Sequence, residues 1–331
     1  MNTNELLDRL RFPFESRLPG FTGATQWLNG SPLRPSDLQG KVVVVDFGTF
    51  TCINWIRTLP YIRSWAKTYG GAGLVTVGVQ TPEFAIEHDV ESVRKALRAM
   101  HVDYPVAVDN EFRIWNAFAN RYWPALYIAD AKGWIRHHHF GEDGYTRSEQ
   151  VIRHLLGQSG AAELPEGPTI DPQGIEVPAD WENVRSPETY VALARSEGFV
   201  SPEVAAFAEP RSYTPPARLK RNEWALAGSW IIGREEATAN EPNARISYRF
   251  HARDLNLILT PPPAGSARFR VSIDGERPDA AHGIDIDDDG NGIVTDSRLY
   301  QLIRQRGDIT DAQVDVEFID PGVAALCFTF G

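Results

Sequence analysis

The chain has only two cysteines among its 331 residues, Cys52 and Cys327. They lie far apart in the sequence, so a disulfide framework of the kind that stabilises small secreted domains is excluded. Each cysteine is therefore either a packed side chain or a reactive thiol.

Long apolar runs and clusters of positive charge are also missing. No segment approaches the roughly 18 consecutive apolar residues of a membrane span. The first residues, MNTNELLDRLRFPFESRLPG, contain charged residues and prolines where a secretory signal needs an apolar core. We therefore expect a cytoplasmic protein. With 33 Lys and Arg against 44 Asp and Glu the formal charge is -11, and no basic cluster is present to follow a phosphate backbone, so nucleic acid is not an expected partner.

The first half of the chain alternates between strand and helix patterns. KVVVVDF at 41–47 and the apolar run at 74–79 are typical of buried strands. Apolar residues at helical spacing predict a helix at 54–69 between them, which indicates an α/β fold with parallel strands. Further helices are predicted at 89–100, 110–122 and 146–156, and further strands at 125–130 and 135–140.

The pattern changes after Leu156. GQSGAAELPEGPTIDPQGIEVP is rich in Gly and Pro and predicts a linker, and a short helix is predicted at 187–196. From Trp224 onward apolar residues alternate with period two between Gly, Pro and Asp turns, which favours an antiparallel β-sandwich. These patterns divide the chain into an α/β domain at 1–160, a linker at 161–180 and an all-β sandwich at 181–331.

Cys52 lies where the predicted strand at 41–47 leads into the predicted helix. The unpaired N–H groups and the positive dipole end of a helix N-terminus stabilise a thiolate, which is the nucleophilic form of cysteine. This position therefore favours a reactive thiol. The alternative is a small buried apolar residue, because cysteine outside disulfides is among the most buried residue types.

The segment around Cys52, DFGTFTCINWIRTLPYIRSW, resembles the active-site segment of thioredoxin-like proteins, in particular the soluble C-terminal part of the DipZ family and its TlpA- and ResA-like relatives. Other segments resemble the same family, so the resemblance covers nearly the whole chain. It implies a thioredoxin-like α/β fold followed by an all-β, jelly-roll-like sandwich similar to carbohydrate-binding modules. These segments are FTGATQWLNG, TPEFAIEHD, YPVAVDN, YWPALYIADAKGWIRHHHFGEDGY, NVRSPETY, YRFHARDL and DGNGIVTDSRLYQLIRQ.

Two positions depart from the family's pattern. Family members have a Cys-x-x-Cys pair, but the tetrapeptide here is Cys52-Ile53-Asn54-Trp55, so Trp55 stands where the second cysteine is expected. Gly48 follows Asp-Phe where the family typically has a tryptophan.

Other positions match the family. Asp46 matches the buried acid that relays protons to the second cysteine, and Pro60 matches the proline inside the active-site helix. Trp123-Pro124 matches the loop with a cis proline that faces the active-site cysteine and aligns the substrate backbone. The resemblance therefore implies a cis peptide bond before Pro124.

The resemblance implies a thiol-disulfide oxidoreductase, here with one active-site cysteine. Without a second thiol, a mixed disulfide on Cys52 must be released by an outside thiol. The expected partners are a disulfide-bearing protein or a low-molecular-weight thiol, and no cofactor is expected. The candidate catalytic residues are Cys52, Trp55, Asp46, Thr49 and Pro124, and the candidate substrate-binding residues are Trp123, Pro124 and Arg121.

Two other functions remain open. In the first, the thioredoxin-like surface and the sandwich only bind a protein or glycan partner, and the aromatic rings of Trp181, Trp224 and Trp230 could stack on sugars, although such residues are more often core. In the second, the protein is a one-cysteine peroxidase. The segment Thr49-Phe50-Thr51-Cys52 resembles the Thr-x-x-Cys motif of peroxiredoxins, whose threonine and a distant arginine orient the peroxide. Arg121 would be that arginine in this chain.

An acidic string gives a weak calcium candidate. It has oxygen-bearing side chains at positions 1, 3 and 5, Gly at 6 and Asp in place of the usual Glu at 12. Asp-Gly and Asn-Gly are also ordinary turn formers. The candidate ligands are Asp285, Asp287, Asp289, Asn291 and Asp296.

Two further features are expected to be structural. In His137-His138-His139 neighbouring side chains point to opposite faces of a strand, so at most His137 and His139 could share a ligand. Cys327 lies in a predicted strand without a His or Lys nearby to activate it.

Overall fold

The structure is a computed structural model that describes residues 14–161, 163–192, 195–263 and 265–331. The chain divides into two compact units, of which the first ends at Glu176 and the second begins at Val177. Within the described residues, no helix combines the length and the apolar character that crossing a membrane requires.

The first unit is built on a six-stranded sheet. The strands are β1 (Gln26–Leu28), β2 (Val42–Gly48), β3 (Leu74–Gln80), β4 (Val106–Val108), β5 (Ala125–Ala129) and β6 (Ile135–Phe140). They lie in the order β1-β4-β3-β2-β5-β6. The three strands β2, β3 and β4 run parallel, and the remaining pairs are antiparallel.

Helices connect these strands, as the alternating pattern predicts. Helix α1 follows β2 almost directly, contains Pro60 and buries the apolar residues whose spacing predicted it. The α/β prediction is confirmed. The α-helices are α1 (Ile53–Tyr69), α2 (Val90–Ala99), α3 (Arg113–Ala117) and α4 (Tyr145–Gln158), and short 3-10 helices lie at Pro35–Leu38, Gly70–Ala72, Ala85–His88 and Gly174–Glu176.

The helix predicted at 110–122 is much shorter in the structure, where only α3 is helical. Phe112 and Ala119 adopt φ angles of 55° and 51°, a left-handed conformation that ends a right-handed helix on either side. The carboxylate of Asp109 accepts the backbone N–H groups of Ile114 at 3.0 Å and Trp115 at 2.8 Å and so fixes the start of α3.

Part of the segment that the sequence pattern assigns to a linker packs on the first unit. Arg63 on α1 donates two hydrogen bonds to the carboxylate of Glu176, at 2.6 and 2.8 Å. Arg153 on α4 donates to the backbone oxygen of Pro165 at 2.7 Å. These contacts explain why the first unit extends to Glu176.

The second unit is all-β, with eleven strands in a curled antiparallel sheet. The strands are β7 (Thr189–Tyr190), β8 (Arg211–Tyr213), β9 (Trp224–Ile232), β10 (Ala237–Ala239), β11 (Ala244–Phe250), β12 (Asp254–Thr260), β13 (Ala267–Ile273), β14 (Asn291–Val294), β15 (Arg298–Arg304), β16 (Ala312–Phe318) and β17 (Ala324–Phe330), with a 3-10 helix at Asp279–Ala281. Nine of them follow the order β14-β13-β16-β11-β9-β10-β17-β12-β15, while β7 pairs with β17 and β8 pairs with β9.

The sheet curls at β9. Residues 224–227 pair with β11, whereas residues 228–232 pair with β8 and β10. Gly228 lies at the change of partner with a φ of 84°, a conformation that glycine adopts without steric strain. Apolar side chains from strands on both sides of β9, among them Tyr248 and Phe328, share one core, which is the arrangement of a sandwich. The all-β prediction is confirmed.

The helix predicted at 187–196 is wrong. Thr189 and Tyr190 instead form β7, which pairs with Phe328 and Cys327 of β17. The hydroxyl of Thr189 bonds to the Tyr248 hydroxyl at 3.0 Å, so tertiary contacts with the sandwich override the local helix signal. Residues 193 and 194 of the predicted helix lie outside the described residues.

Candidate active site at Cys52

Cys52 occupies the N-cap position of α1, directly after the turn that follows β2. Its backbone N–H donates to the Thr49 carbonyl at 3.1 Å, and its own carbonyl accepts the N–H of Ile56 at 3.0 Å. The side chain is partly buried, and the two cysteines do not form a disulfide. The structure therefore confirms the predicted position of this thiol at a helix N-terminus.

The acid of the site, Asp46, is buried beside Trp55. The Trp55 indole N–H donates to Asp46 Oδ2 at 2.9 Å, and the Tyr104 hydroxyl donates to the same oxygen at 3.4 Å. Burial raises the pKa of Asp46 to about 7, and the hydrogen bonds from Trp55 and Tyr104 lower it. Asp46 is therefore an acid whose protonation changes near neutral pH.

Trp55 points into the interior of the unit. Its side chain is only 4% exposed, and its indole ring lies over Gly48. Cys52, three residues earlier, stays partly exposed. The residue in the place of the second cysteine is therefore a packing residue bound to Asp46.

Thr49, the first residue of the turn, is fully buried. Its hydroxyl oxygen accepts a hydrogen bond from Nε2 of Gln80 at 2.8 Å. This threonine therefore fixes the turn to the end of β3.

Glu87 is a buried carboxylate under the same turn, and sequence reasoning missed it. It accepts hydrogen bonds from the Thr51 hydroxyl and from the backbone N–H groups of Glu83 and Phe84. Burial raises the pKa of Glu87, and hydrogen bonds from Thr49 and Thr51 oppose that rise. The available signal was the glutamate three residues after Phe84 in TPEFAIEHD, the spacing of a side chain that caps a helix.

The proline loop has the predicted cis peptide bond, between Trp123 and Pro124. The Trp123 indole N–H donates to the Thr81 carbonyl at 3.0 Å, and the Thr81 N–H donates to the Gly48 carbonyl at 3.1 Å. Thr81 therefore links the cis-proline loop to the end of β2, where the turn to Cys52 begins.

Arg121 does not join this arrangement. Its side chain is exposed and forms no hydrogen bond or ion pair with other described residues, whereas the side chain of Thr49 is fully buried. The Thr49 hydroxyl is directed to Gln80 and Glu87. The pair that the peroxidase interpretation needs beside Cys52 is therefore not formed.

Comparison with known proteins gives relatives for both units. The model of a family described as thioredoxin like C-terminal domain matches residues 186–331. The protein DipZ of Mycobacterium tuberculosis is 33% identical over 263 residues, which cover 78% of this chain and 36% of DipZ. The chain is a thioredoxin-like protein related to DipZ. It spans about a third of the length of that relative.

The first unit has further thioredoxin-like relatives. The thiol-disulfide oxidoreductase YkuV of Bacillus subtilis is 25% identical over 142 residues, which cover 43% of this chain and 95% of YkuV. A solution structure of a thioredoxin-like protein in the oxidized form is 26% identical and covers 43% of this chain and 96% of its own, with a TM-score of 0.40. The predicted resemblance to thioredoxin-like and DipZ proteins is confirmed.

The acidic side chains of the calcium candidate have partners within the sandwich. Asp285 pairs with Arg298 at 2.6 Å, and Asp289 pairs with Arg277 at 3.1 Å. Asp287 accepts the backbone N–H of Asn291 at 2.7 Å, and Asp296 accepts the hydroxyl of the neighbouring Thr295. These side chains bind other residues, and in the described part of the chain no three His, Cys, Asp or Glu side chains come together as metal ligands, so the geometry does not support the calcium candidate.

The histidines of β6 have local partners. Burial lowers the pKa of His137 to about 4, assisted by the charge of Arg147, and Ser148 Oγ lies 3.3 Å from its Nε2. His138 pairs with Glu15 at 2.7 Å. His139 Nε2 lies 3.3 Å from the Glu142 carbonyl. These contacts are those of a structural strand.

Two of the three tryptophans proposed to stack on sugars are core residues. Trp224 and Trp230 are 1% and 0% exposed, so the prediction is wrong for them, and only Trp181 is accessible, at 55%. Neither of these two core rings is available to a ligand.

The second cysteine, Cys327, is fully buried, with its Sγ 3.4 Å from the carbonyl of Phe328.

A surface cavity of about 710 Å³ lies elsewhere on the first unit. Phe21, Leu38, Val43 and Trp134 are among the residues that line it. Val43 is near the start of β2, whereas Cys52 follows its end. The cavity therefore does not belong to the Cys52 site.

Proposed function

We propose that this protein is a thiol-disulfide oxidoreductase that works through Cys52 alone. The proposal rests on one observation: Cys52 is partly exposed at the N-terminus of α1, whereas the position three residues later holds a buried tryptophan. The positive end of the helix dipole stabilises a thiolate at this place.

The reaction has three exchange steps, of which the first two involve Cys52. The Cys52 thiolate attacks one sulfur of a substrate disulfide, a bond forms between the two sulfurs, and the other substrate sulfur leaves as a thiolate. The thiolate of an outside low-molecular-weight thiol then attacks the substrate sulfur of this mixed disulfide. Cys52 leaves as a thiolate, and the substrate sulfur is left in a mixed disulfide with the outside thiol. A second molecule of the outside thiol reduces this disulfide, so the two outside thiols end as their own disulfide and supply the two electrons that reduce the substrate.

The position of the Trp123-Pro124 loop supports a disulfide-bearing protein as substrate. Hydrogen bonds through Thr81 hold Trp123 beside the end of β2, where the turn to Cys52 begins. YkuV, which is named as a thiol-disulfide oxidoreductase, is similar to this same unit. The substrate class and the outside thiol are proposals.

The test is covalent capture by the full chain with Cys327→Ser. Oxidised glutathione is added, and intact mass spectrometry with peptide mapping locates any adduct. We expect one glutathione on Cys52, removed again by reduced glutathione, and none in a chain that also carries Cys52→Ser. A chain that stays unmodified when the disulfide is in excess would contradict the proposal and would favour a role in binding only.

A further inference from the structure

Gly48 and Trp55 share one space at the end of β2. A Cβ atom on residue 48 would lie 2.1 Å from Cδ1, 2.2 Å from Nε1 and 2.3 Å from Cγ of Trp55. Gly48 pairs with Gln80 of β3 in regular register, and its φ is not in the left-handed region. The backbone therefore does not require a glycine here, but the indole ring does.

The same ring closes the pocket around Asp46. Trp55 and Tyr104 both donate to Asp46 Oδ2, and the side chains of all three residues are buried. Removing the ring would leave a cavity beside Asp46 and take away its shorter hydrogen bond. Trp55 therefore contributes both volume and a donor to this pocket.

We propose that Gly48 and Trp55 form one positioning unit of the Cys52 site, in which Trp55 fills the space over Gly48 and keeps Asp46 closed off and hydrogen-bonded. A closed Asp46 does not exchange a proton with a sulfur at Cys52, and no second thiol stands at position 55. A mixed disulfide on Cys52 then persists until an outside thiol attacks it. This last consequence rests on the proposed function, whereas the coupling of the two residues does not.

The coupling predicts that each of the two substitutions destabilises the first unit more when the other position is native than when it is also changed. Gly48→Ala puts a methyl group into the indole ring, which forces the core to shift. Trp55→Cys removes the ring and leaves room for that methyl group. The loss caused by Gly48→Ala must therefore be much smaller when Trp55→Cys is present.

The experiment is a double-mutant cycle in the full chain with Cys327→Ser, under reducing conditions. The midpoint of thermal unfolding of the first unit is compared among the parent, Gly48→Ala, Trp55→Cys and the double variant. Gly20→Ala is the matched control, because a Cβ there meets no atom within 4 Å.

We expect Gly48→Ala to lower the midpoint by about 5 °C or more in the parent and by less than half of that loss beside Trp55→Cys. If the Gly48→Ala chain folds only when Trp55→Cys is also present, that result supports the coupling as well. Equal losses in the two backgrounds, or no loss in the parent, would overturn the coupling. Gly20→Ala should have the same small effect in both backgrounds.

A second readout follows the glutathione adduct of Cys52 after free glutathione is removed. In the Trp55→Cys chain the introduced thiol attacks Cys52 Sγ, expels glutathione as a thiolate and leaves an internal disulfide. We expect release at least about tenfold faster than in the parent, because the attack is intramolecular.

If glutathione leaves Cys52 at the same rate in the parent and in the Trp55→Cys chain when no thiol is added, the claim that the adduct persists in the parent is overturned. If no adduct forms in any chain, the proposed function fails, and the unfolding midpoints still decide the coupling of Gly48 and Trp55.

Discussion

The hydroxyl of Thr51 donates a hydrogen bond to the buried carboxylate of Glu87. Glu87 also accepts two backbone N–H groups at the start of the 3-10 helix Ala85–His88. The residue immediately before Cys52 is thereby fixed to a segment that follows β3. The position of the thiol depends on this carboxylate as well as on α1.

Glu87→Gln should destabilise the first unit. An amide has only one acceptor oxygen, so at least one of the buried donors loses its partner, at a cost of about 1 to 3 kcal/mol. Glu91→Gln, on the exposed surface of α2, is the matched control, with an expected loss below about 0.5 kcal/mol. Urea unfolding measures both, and equal losses would show that Glu87 does not hold the turn.

The buried acid Asp46 should make stability depend on pH. Its pKa is raised from the usual 3.8 to about 7 in the folded chain. Between these values the folded chain keeps a proton that the unfolded chain has lost. The contribution is therefore fully present below about pH 4 and is lost as the pH rises through about 7.

Urea unfolding at a series of pH values checks this. Asp46→Asn should make the decline between about pH 4 and pH 7 shallower, and Trp55→Phe should extend it to higher pH because the indole N–H favours the ionised carboxylate. Asp103→Asn, at an exposed position, should keep the parent profile. Identical profiles for Asp46→Asn and the parent would refute the assignment.

Arg304→Met should destabilise the second unit. Asp254 is fully buried between Arg253 and Arg304, each at 2.6 Å. Removing one partner leaves a buried carboxylate half-compensated, at a cost of about 3 kcal/mol. Arg268→Met breaks the more exposed pair with Asp320 and should cost much less, because solvent screens an exposed ion pair. Calorimetry of the full chain measures both, and a loss no larger than that of the control would contradict the role of Asp254.

Calcium should not stabilise the sandwich. Asp285 and Asp289 are paired with Arg298 and Arg277, so an ion would have to displace both arginines. The unfolding midpoint should stay the same with millimolar calcium and with a chelator. A rise that saturates with calcium concentration would show a site that these pairs conceal.

The sequence predicted the elements whose signal is local. The valine run of β2, the helical spacing of α1 and the alternation of β16 all recur in the structure. The cis bond before Pro124 followed from the family resemblance. These features depend on periodicity or on a motif, which a single sequence carries.

The features that the sequence did not predict depend on partners far along the chain. β7 forms because Thr189 meets β17 and Tyr248, although the sequence pattern predicts a helix at 187–196. The inward direction of Trp55 depends on the space over Gly48, and Glu87 reaches the Cys52 turn through Thr51. Such contacts are set by packing and leave no periodic signal.

The most direct test of the account is the pH dependence of Cys52 alkylation by iodoacetamide in the full chain with Cys327→Ser. A working nucleophile at a helix N-terminus should reach half of its maximal rate clearly below the ordinary thiol value of about 8.5. Labelling that is absent, or a rate that reaches half of its maximum only at or above that value, would contradict the claim that Cys52 is a catalytic thiol.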